Sequence, residues 1–399
     1  MARVVGSDIR ERMKLLGAKS IVHLGGGLPD PGIFPYAAIA ASAAAILGDP
    51  ARARTALQYA PSEGHPPLRE WLIGYMASIG VDCGADNILI TNGSQQGLDL
   101  AAKLLVDKGD PVIVEMPSFI GALRAVDVYE PRYIPLPAGA ADWSADNLEP
   151  AKLAYVGPDF RNPTGTTMTR AERERLLDTM TALGTPILED GCYEKLRYDG
   201  EDIPSVMALA CQRHGDIEDV GVIYTGTFSK TVAPSLRVGW MVAPTAVIRK
   251  LTLLKQAADL ATSALNQMIL LDIVSQRLAD DVAVACTLYR ERRDSMLGAL
   301  SEFMPPGVSW TEPEGGLYIW VTLPVGTDGA TLARRALAEG GVSVIAGSAF
   351  YPIDPLPNTI RLSFSLATSA DARVGIQSVA KLIGETGHQM PGDETRARY

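Results

Sequence analysis

Cysteine, histidine and positive charge are all in short supply in this chain of 399 residues. Its four cysteines, Cys83, Cys192, Cys211 and Cys286, lie far apart without CxxC or zinc-type spacing. That excludes a disulfide framework and a thiolate metal site, and it fits a reducing cytoplasm. The four histidines, His23, His65, His214 and His388, show no HExxH spacing and read as surface or loop residues, so no metal is expected. Thirty-six Lys and Arg face 46 Asp and Glu, a formal charge of −10. This is the wrong sign for a protein that neutralises phosphate backbones, and no nucleic-acid partner is expected. Long hydrophobic runs are also missing. The stretch from Ala37 to Leu47 is far shorter than a bilayer span, and the charged N-terminus lacks the apolar core of a signal peptide, so no membrane partner is expected. There is no low-complexity stretch, Pro/Ser-rich linker or internal repeat.

What is present is a globular composition, 47% hydrophobic and 21% charged, enough for a large core. At roughly 150 residues per domain, the length allows two or three domains. From about residue 87, short β-branched runs alternate with helical patterns. NILIT from Asn87, PVIVEM from Pro111, RYIPLP from Arg132, LAYVGP from Leu153, TPILED from Thr185, VGVIYTG from Val220 and RVGWMVA from Arg237 read as strands, with helices such as Ala171 to Leu183 between several of them. This alternation predicts an α/β fold with a mainly parallel sheet covered on both faces. Beyond about residue 245 a long helical region is expected to Phe303. It is followed by GLYIWVTL and IRLSFS, whose alternation predicts a half-exposed, partly antiparallel sheet, and by helices near Ala330 to Glu339 and Ala370 to Ile383. With no linker in sight, the boundary between the two parts is expected inside a continuous helix.

Several motifs fall at the predicted strand ends, where ligands bind in open α/β sheets. Thr227, Ser229, Lys230 and Arg237 cluster after VGVIYTG. A lysine in this apolar, hydroxyl-rich setting is a usable amine nucleophile for a carbonyl, and the two hydroxyls with the guanidinium fit a phosphate dianion. Gly93-Ser94-Gln95-Gln96-Gly97, between a strand and a helix, is a second phosphate-cradle candidate, although turn geometry alone also accounts for such residues. Asp190, three residues before Tyr193, suits a metal, a cation or a helix cap, and the cap is the simplest reading in isolation. Asn162-Pro163-Thr164-Gly165 reads by itself as a turn.

In this order, with Phe119 after PVIVEM, these segments resemble the fold-type I, pyridoxal phosphate-dependent aminotransferases of class I/II, and among them the 2-aminoadipate/kynurenine aminotransferase branch. The resemblance runs from about Ser7 to Ile383. It implies a large domain with a mainly parallel seven-stranded sheet between helices (residues 50–280) and a smaller α/β domain (residues 281–399). The N-terminal segment (residues 1–49) would join the smaller domain at the substrate entrance.

The resemblance also implies roles. Lys230 corresponds to the lysine that forms the internal aldimine with pyridoxal 5'-phosphate and shuttles the proton. Asp190 would partner the pyridine nitrogen, Asn162 and Tyr193 the phenolic oxygen, and Ser94, Gln95, Thr227, Ser229 and Arg237 the phosphate. Phe119 stands where the family usually has a tyrosine; it keeps the stacking and loses the hydroxyl. Arg361 resembles the arginine that takes the substrate α-carboxylate, and Gly27, in Gly25-Gly26-Gly27-Leu28, belongs to the segment lining the substrate entrance. Tyr59 resembles the tyrosine that reaches the neighbouring subunit's cofactor, which implies a homodimer with shared sites.

Arg10 sits where this branch carries an arginine on a mobile N-terminal helix, suited to a distal carboxylate. It also reads as a surface residue of the charged run Arg10-Glu11-Arg12. No role is assigned to Arg161. The implied reaction moves the amino group of an L-amino acid, 2-aminoadipate-like or aromatic, to a 2-oxo acid such as 2-oxoglutarate. A β-lyase, a decarboxylase or a specialised amino acid transaminase of the same fold would keep every cofactor contact. A regulator's effector module is a weaker reading, because the residues before Gly25 are too few for a winged-helix domain.

Overall fold

The structure is a computed structural model and describes residues 21–137 and 143–387. The chain divides into two compact units. The larger comprises residues 29–287 and 313–316, and the smaller comprises, of the described residues, 21–28, 288–312 and 317–387. The division falls within the 40-residue helix Ala264–Phe303.

In the larger unit, seven strands form one sheet in the spatial order Ile88–Thr91, Gly239–Val242, Val222–Thr227, Ile187–Asp190, Leu153–Val156, Pro111–Met116 and Arg132–Pro137. Gly239–Val242 runs antiparallel to both neighbours, and the pairs from Val222–Thr227 outward are parallel. Alternate residues feed opposite faces. Ile90, Ile113, Val156, Ile187 and Val222 join one buried cluster, and Leu89, Val112, Val114, Leu188 and Ile223 join the other. With both faces covered, the strands read as continuous apolar runs, each fully buried Val, Leu or Ile contributing about 1.5–3 kcal/mol. The helices between strands carry their own start and stop signals. Arg170–Leu183 opens on a Thr169/Glu172 capping box and closes on Gly184 in the left-handed conformation.

The expected long helical region is two helices, Thr245–Ala258 and Ala264–Phe303. At the break Leu260 takes φ 66°, outside the right-handed helical region, and the Asp259 carboxylate is held by Asn92 and Gln96 of another segment as well as by Lys255.

The smaller unit holds a four-stranded antiparallel sheet in the order Ile345–Ala346, Thr359–Ser363, Tyr318–Thr322 and Ser309–Trp310. The expectation of a half-exposed sheet needs correction. Thr359–Ser363 is buried throughout, and so is Tyr318–Thr322 apart from its last residue. Alternation is present in the sequence, but the polar positions are satisfied internally: Arg361 donates to the Gly25 carbonyl, and the Ser363 and Ser365 hydroxyls bond each other. Among the described residues, no helix is long and apolar enough to cross a membrane.

Candidate active site

The C-terminal ends of the parallel strands bring the motif residues of the larger unit to one edge of the sheet. Asp190 ends its strand in register with Thr225 of the next, and the Gly191 N–H continues the ladder to the Thr225 carbonyl at 2.9 Å. The Asp190 carboxylate is buried. Its Oδ2 accepts the Tyr155 hydroxyl at 2.9 Å, and its Oδ1 has no hydrogen-bond partner among the described residues. Burial pushes this carboxyl above its ordinary range, while hydrogen bonds from Cys192 and Tyr155 and the Lys230 charge pull it back towards ionisation. A buried carboxylate oxygen left open in this way calls for a donor from outside the chain.

Lys230 lies just past Val222–Thr227, with Nζ 5.7 Å from the centre of the half-buried Tyr193 ring. Before it, the Thr227 hydroxyl donates to Ser229 Oγ at 2.9 Å, and the Ser229 N–H reaches Thr227 Oγ1 at 3.2 Å, so the two hydroxyls sit side by side. Asn162 is buried in a turn closed by Arg161 N–H to Thr166 O at 2.9 Å and Gly165 N–H to Arg161 O at 2.7 Å.

At the neighbouring strand end, Gly93 caps the helix Ser94–Leu105 with φ 77° and no side-chain cap. The first N–H groups of that helix are thus offered outward at its positive end. The Arg237 guanidinium covers this turn. Its Nη2 donates to the Asn92 carbonyl at 2.8 Å, and a Cβ on Gly93 would lie 2.7 Å from the same nitrogen. Only glycine serves here, for its backbone angle and for the space. Gln95 donates to the Gly121 carbonyl at 2.8 Å, and Phe119 packs over Gly121, where an added Cβ would meet its ring at 2.4 Å.

Two residues without a role in the sequence reading belong to this cluster. The Cys192 thiol donates to Ser94 Oγ at 3.0 Å, joining the Asp190 strand end to the glycine turn. Burial and the neighbouring Asp190 carboxylate hold that thiol well up, so it remains a neutral donor. Tyr155 is the other, and its signal was readable: a phenol inside a fully buried four-residue strand needs a hydrogen-bond partner. Arg161 also finds a place. Its Nη1 lies 2.6 Å from Glu115 Oε1, both side chains are buried, and Glu115 Oε2 accepts the Gly157 N–H at 2.8 Å.

The remaining candidates lie elsewhere. In the smaller unit, the Arg361 guanidinium is 4.3 Å from the centre of the Tyr318 ring and 4.9 Å from that of Phe350, with Nη2 on the Gly25 carbonyl at 2.6 Å. Gly27 faces Tyr318 so closely that a Cβ would fall 1.8 Å from its hydroxyl. Tyr59 is 82% exposed. Arg10 lies outside the described residues.

In the larger unit, an open carboxylate oxygen, a lysine amine, paired hydroxyls, an uncapped helix start and an arginine stand together. This set fits an aromatic nitrogen base that carries an aldehyde and a phosphate. The comparisons agree. Residues 32–379 match the family model for aminotransferase class I and II. The chain is 37% identical to aromatic-amino-acid aminotransferase 1 of Thermococcus litoralis over 95% of its length and 92% of that protein. It is 36% identical to the 2-aminoadipate transaminase of Thermus thermophilus over 96% and 94%. Its fold matches the crystal structure of LysN, the alpha-aminoadipate aminotransferase of Thermus thermophilus, complexed with N-(5'-phosphopyridoxyl)-L-leucine. The TM-score is 0.88 at 35% identity, with 98% of this chain and 97% of that one covered. The chain therefore belongs to the class I and II aminotransferases of pyridoxal phosphate fold type I, enzymes that move an amino group between amino acids and oxo acids with pyridoxal phosphate as cofactor.

Proposed function

We propose that this aminotransferase takes an L-amino acid with a 2-aminoadipate-like or aromatic side chain as donor and a 2-oxo acid, 2-oxoglutarate in the first instance, as acceptor. The observation that carries the site assignment is the buried Asp190 carboxylate, held on one oxygen by Tyr155 and open on the other. When bound, pyridoxal phosphate supplies an electron-accepting ring that stabilises negative charge at the substrate Cα and carries the amino group between the half-reactions.

Asp190 would accept a hydrogen bond from the pyridine nitrogen and, as an anion, would keep that nitrogen protonated. Lys230 Nζ would hold the cofactor through its aldehyde carbon and, as a free amine, would act as the base and acid that moves the proton at the substrate Cα. Asn162 and Tyr193 would hold the phenolic oxygen, and Phe119 would pack against the ring. Ser94, Gln95, Thr227, Ser229 and Arg237 would hold the phosphate.

Arg361 is assigned to the substrate α-carboxylate. Its guanidinium is fixed between two rings and a carbonyl, a preorganised fork that loses little entropy on binding a carboxylate. Gly27, which lies against the Tyr318 ring under that guanidinium, is assigned to the substrate entrance, and Arg10 to the distal group of the donor. Similarity to the two transaminases supports the donor class. Tyr59, bare in the single chain, is assigned to the partner subunit's phosphate in a homodimer, and the protein is assigned to the cytoplasm.

A donor and acceptor screen tests the substrate class. The purified enzyme is mixed with 2-aminoadipate, glutamate, kynurenine, or aromatic, branched or basic amino acids, and the bound cofactor's absorbance is followed. Conversion by 2-aminoadipate or aromatic donors, reversed by 2-oxoglutarate, is expected. Conversion by basic or branched donors alone would overturn the assignment.

A further inference from the structure

Behind the glycine turn lies a polar network that no cofactor contact requires. Lys255, near the end of the helix Thr245–Ala258, has a fully buried side chain. Its Nζ donates to both oxygens of Asp259 at 2.8 Å and to Gln96 Oε1 at 3.1 Å. Asp259 Oδ2 in turn accepts Gln96 Nε2 at 2.6 Å and the Asn92 side-chain amide. Gln96 Oε1 also takes the Asn92 backbone N–H at 2.8 Å. The Asn92 carbonyl is where Arg237 Nη2 is seated at 2.8 Å. Asn92 is thus fixed through its side chain, its N–H and its carbonyl, and Gly93 and Ser94 follow it directly.

The network is a costly way to hold a helix against a sheet. Burying an ammonium group is unfavourable, and burial lowers the Lys255 pKa against the pull of Asp259. Apolar side chains would pack this position as well or better, but they could not orient a backbone carbonyl and an amide at once. Asp259 directly follows the last residue of the helix, and its carboxylate is shared by Lys255, Gln96 and Asn92.

We propose that Lys255 and Asp259 are positioning residues for the cofactor phosphate: through Gln96 and Asn92 they fix the Asn92-Gly93-Ser94 turn and the seat of Arg237, and so set phosphate affinity from outside the site. The inference rests on the reading of this turn and Arg237 as the phosphate cradle. Its test uses full-length apoprotein titrated with pyridoxal phosphate and with pyridoxal, which lacks the phosphate. Lys255→Met and Asp259→Asn should each weaken pyridoxal phosphate binding by about 10- to 100-fold, as expected for lost charge-assisted hydrogen bonds, and leave pyridoxal binding unchanged. Asp259→Asn keeps the side chain's shape and carries the test if Lys255→Met does not fold. Equal losses for both ligands, the mark of a merely structural role, would overturn the inference, and so would no loss for either. Arg237→Met is the reference arm. If it lowers phosphate-dependent affinity while the other two variants do not, the inference alone fails. If Arg237→Met also leaves the preference for pyridoxal phosphate intact, the cradle reading fails with it.

Discussion

The hydroxyl of Tyr155 donates to Oδ2 of Asp190 at 2.9 Å, across adjacent parallel strands, while Oδ1 of the same carboxylate has no partner among the described residues. One oxygen is anchored and the other is kept for a ligand. A hydrogen bond to the ionised form favours ionisation, so Tyr155 opposes the burial that pushes Asp190 up. Tyr155→Phe should therefore move the acid limb of kcat/KM to higher pH, because Asp190 then takes up a proton sooner as pH falls. It should also lower kcat by about 10-fold. pH profiles of both proteins check this. An unmoved limb, or one displaced to lower pH, would remove Tyr155 from the account.

Glu115 and Arg161 form a buried ion pair, and Glu115 is raised by burial against the pull of Arg161. Arg161→Met leaves the carboxylate buried without its cation, and a loss of about 3–5 kcal/mol in unfolding free energy is expected. Glu115→Gln combined with Arg161→Met should recover part of that loss, since the amide still accepts the Gly157 N–H and no charge remains. Denaturant unfolding of the two variants against wild type reads the difference. A double variant no more stable than Arg161→Met would contradict the pairing.

The elements and the site were not equally legible in the sequence. PVIVEM appears as the strand Pro111–Met116, buried from Val112 to Glu115, because a parallel strand covered on both faces is a continuous apolar run that pattern alone reveals; RYIPLP appears as the edge strand Arg132–Pro137, exposed at Arg132 and Pro135, with Ile134 and Leu136 turned to the core. Asp190, Lys230 and the glycine turn were legible as residue types at strand ends. The couplings between them were not, since Tyr155 to Asp190, Cys192 to Ser94 and Lys255 to Gln96 each join separate elements or depend on side-chain direction. The break at Asp259 was hidden for the same reason. The sequence around it is compatible with a helix, and the tertiary partners of Asp259 decide against one.

Glu189 gives a pH signature of folding. Its two carboxylate oxygens accept the Val206 and Met207 N–H groups at 2.8 Å each, yet burial pushes its carboxyl up to about 7. The folded chain thus keeps a proton that the unfolded chain has lost above an ordinary glutamate pKa of about 4.3. Its contribution to stability is complete below that value, falls as pH rises to about 7, and is level beyond, with a slope of at most about 1.4 kcal/mol per pH unit. Glu189→Gln cannot titrate. The stability difference between wild type and variant should therefore shift in the variant's favour from about pH 5 to about pH 8 in denaturant titrations. A difference that stays constant with pH would contradict it.

Gly27 and Arg361 are coupled through one ring. Tyr318 lies under the Arg361 guanidinium, and its hydroxyl occupies the space a Gly27 side chain would need. Gly27→Ala should displace Tyr318, loosen Arg361 and raise KM for the amino donor by about 10-fold, the cost of a weakened charge-assisted bond. Cofactor affinity should be unaffected. Steady-state kinetics and a cofactor titration separate the two effects, and a loss of cofactor binding with KM unchanged would count against the assignment of Arg361.

The central claim is that Lys230 is the amine that holds pyridoxal phosphate. Borohydride reduction of the holoenzyme, followed by proteolysis and mass spectrometry, tests it most directly. The account predicts a stable phosphopyridoxyl adduct on the peptide containing Lys230, and none at that position in Lys230→Ala. An adduct on another lysine of the wild-type chain, with Lys230 unmodified, would contradict it.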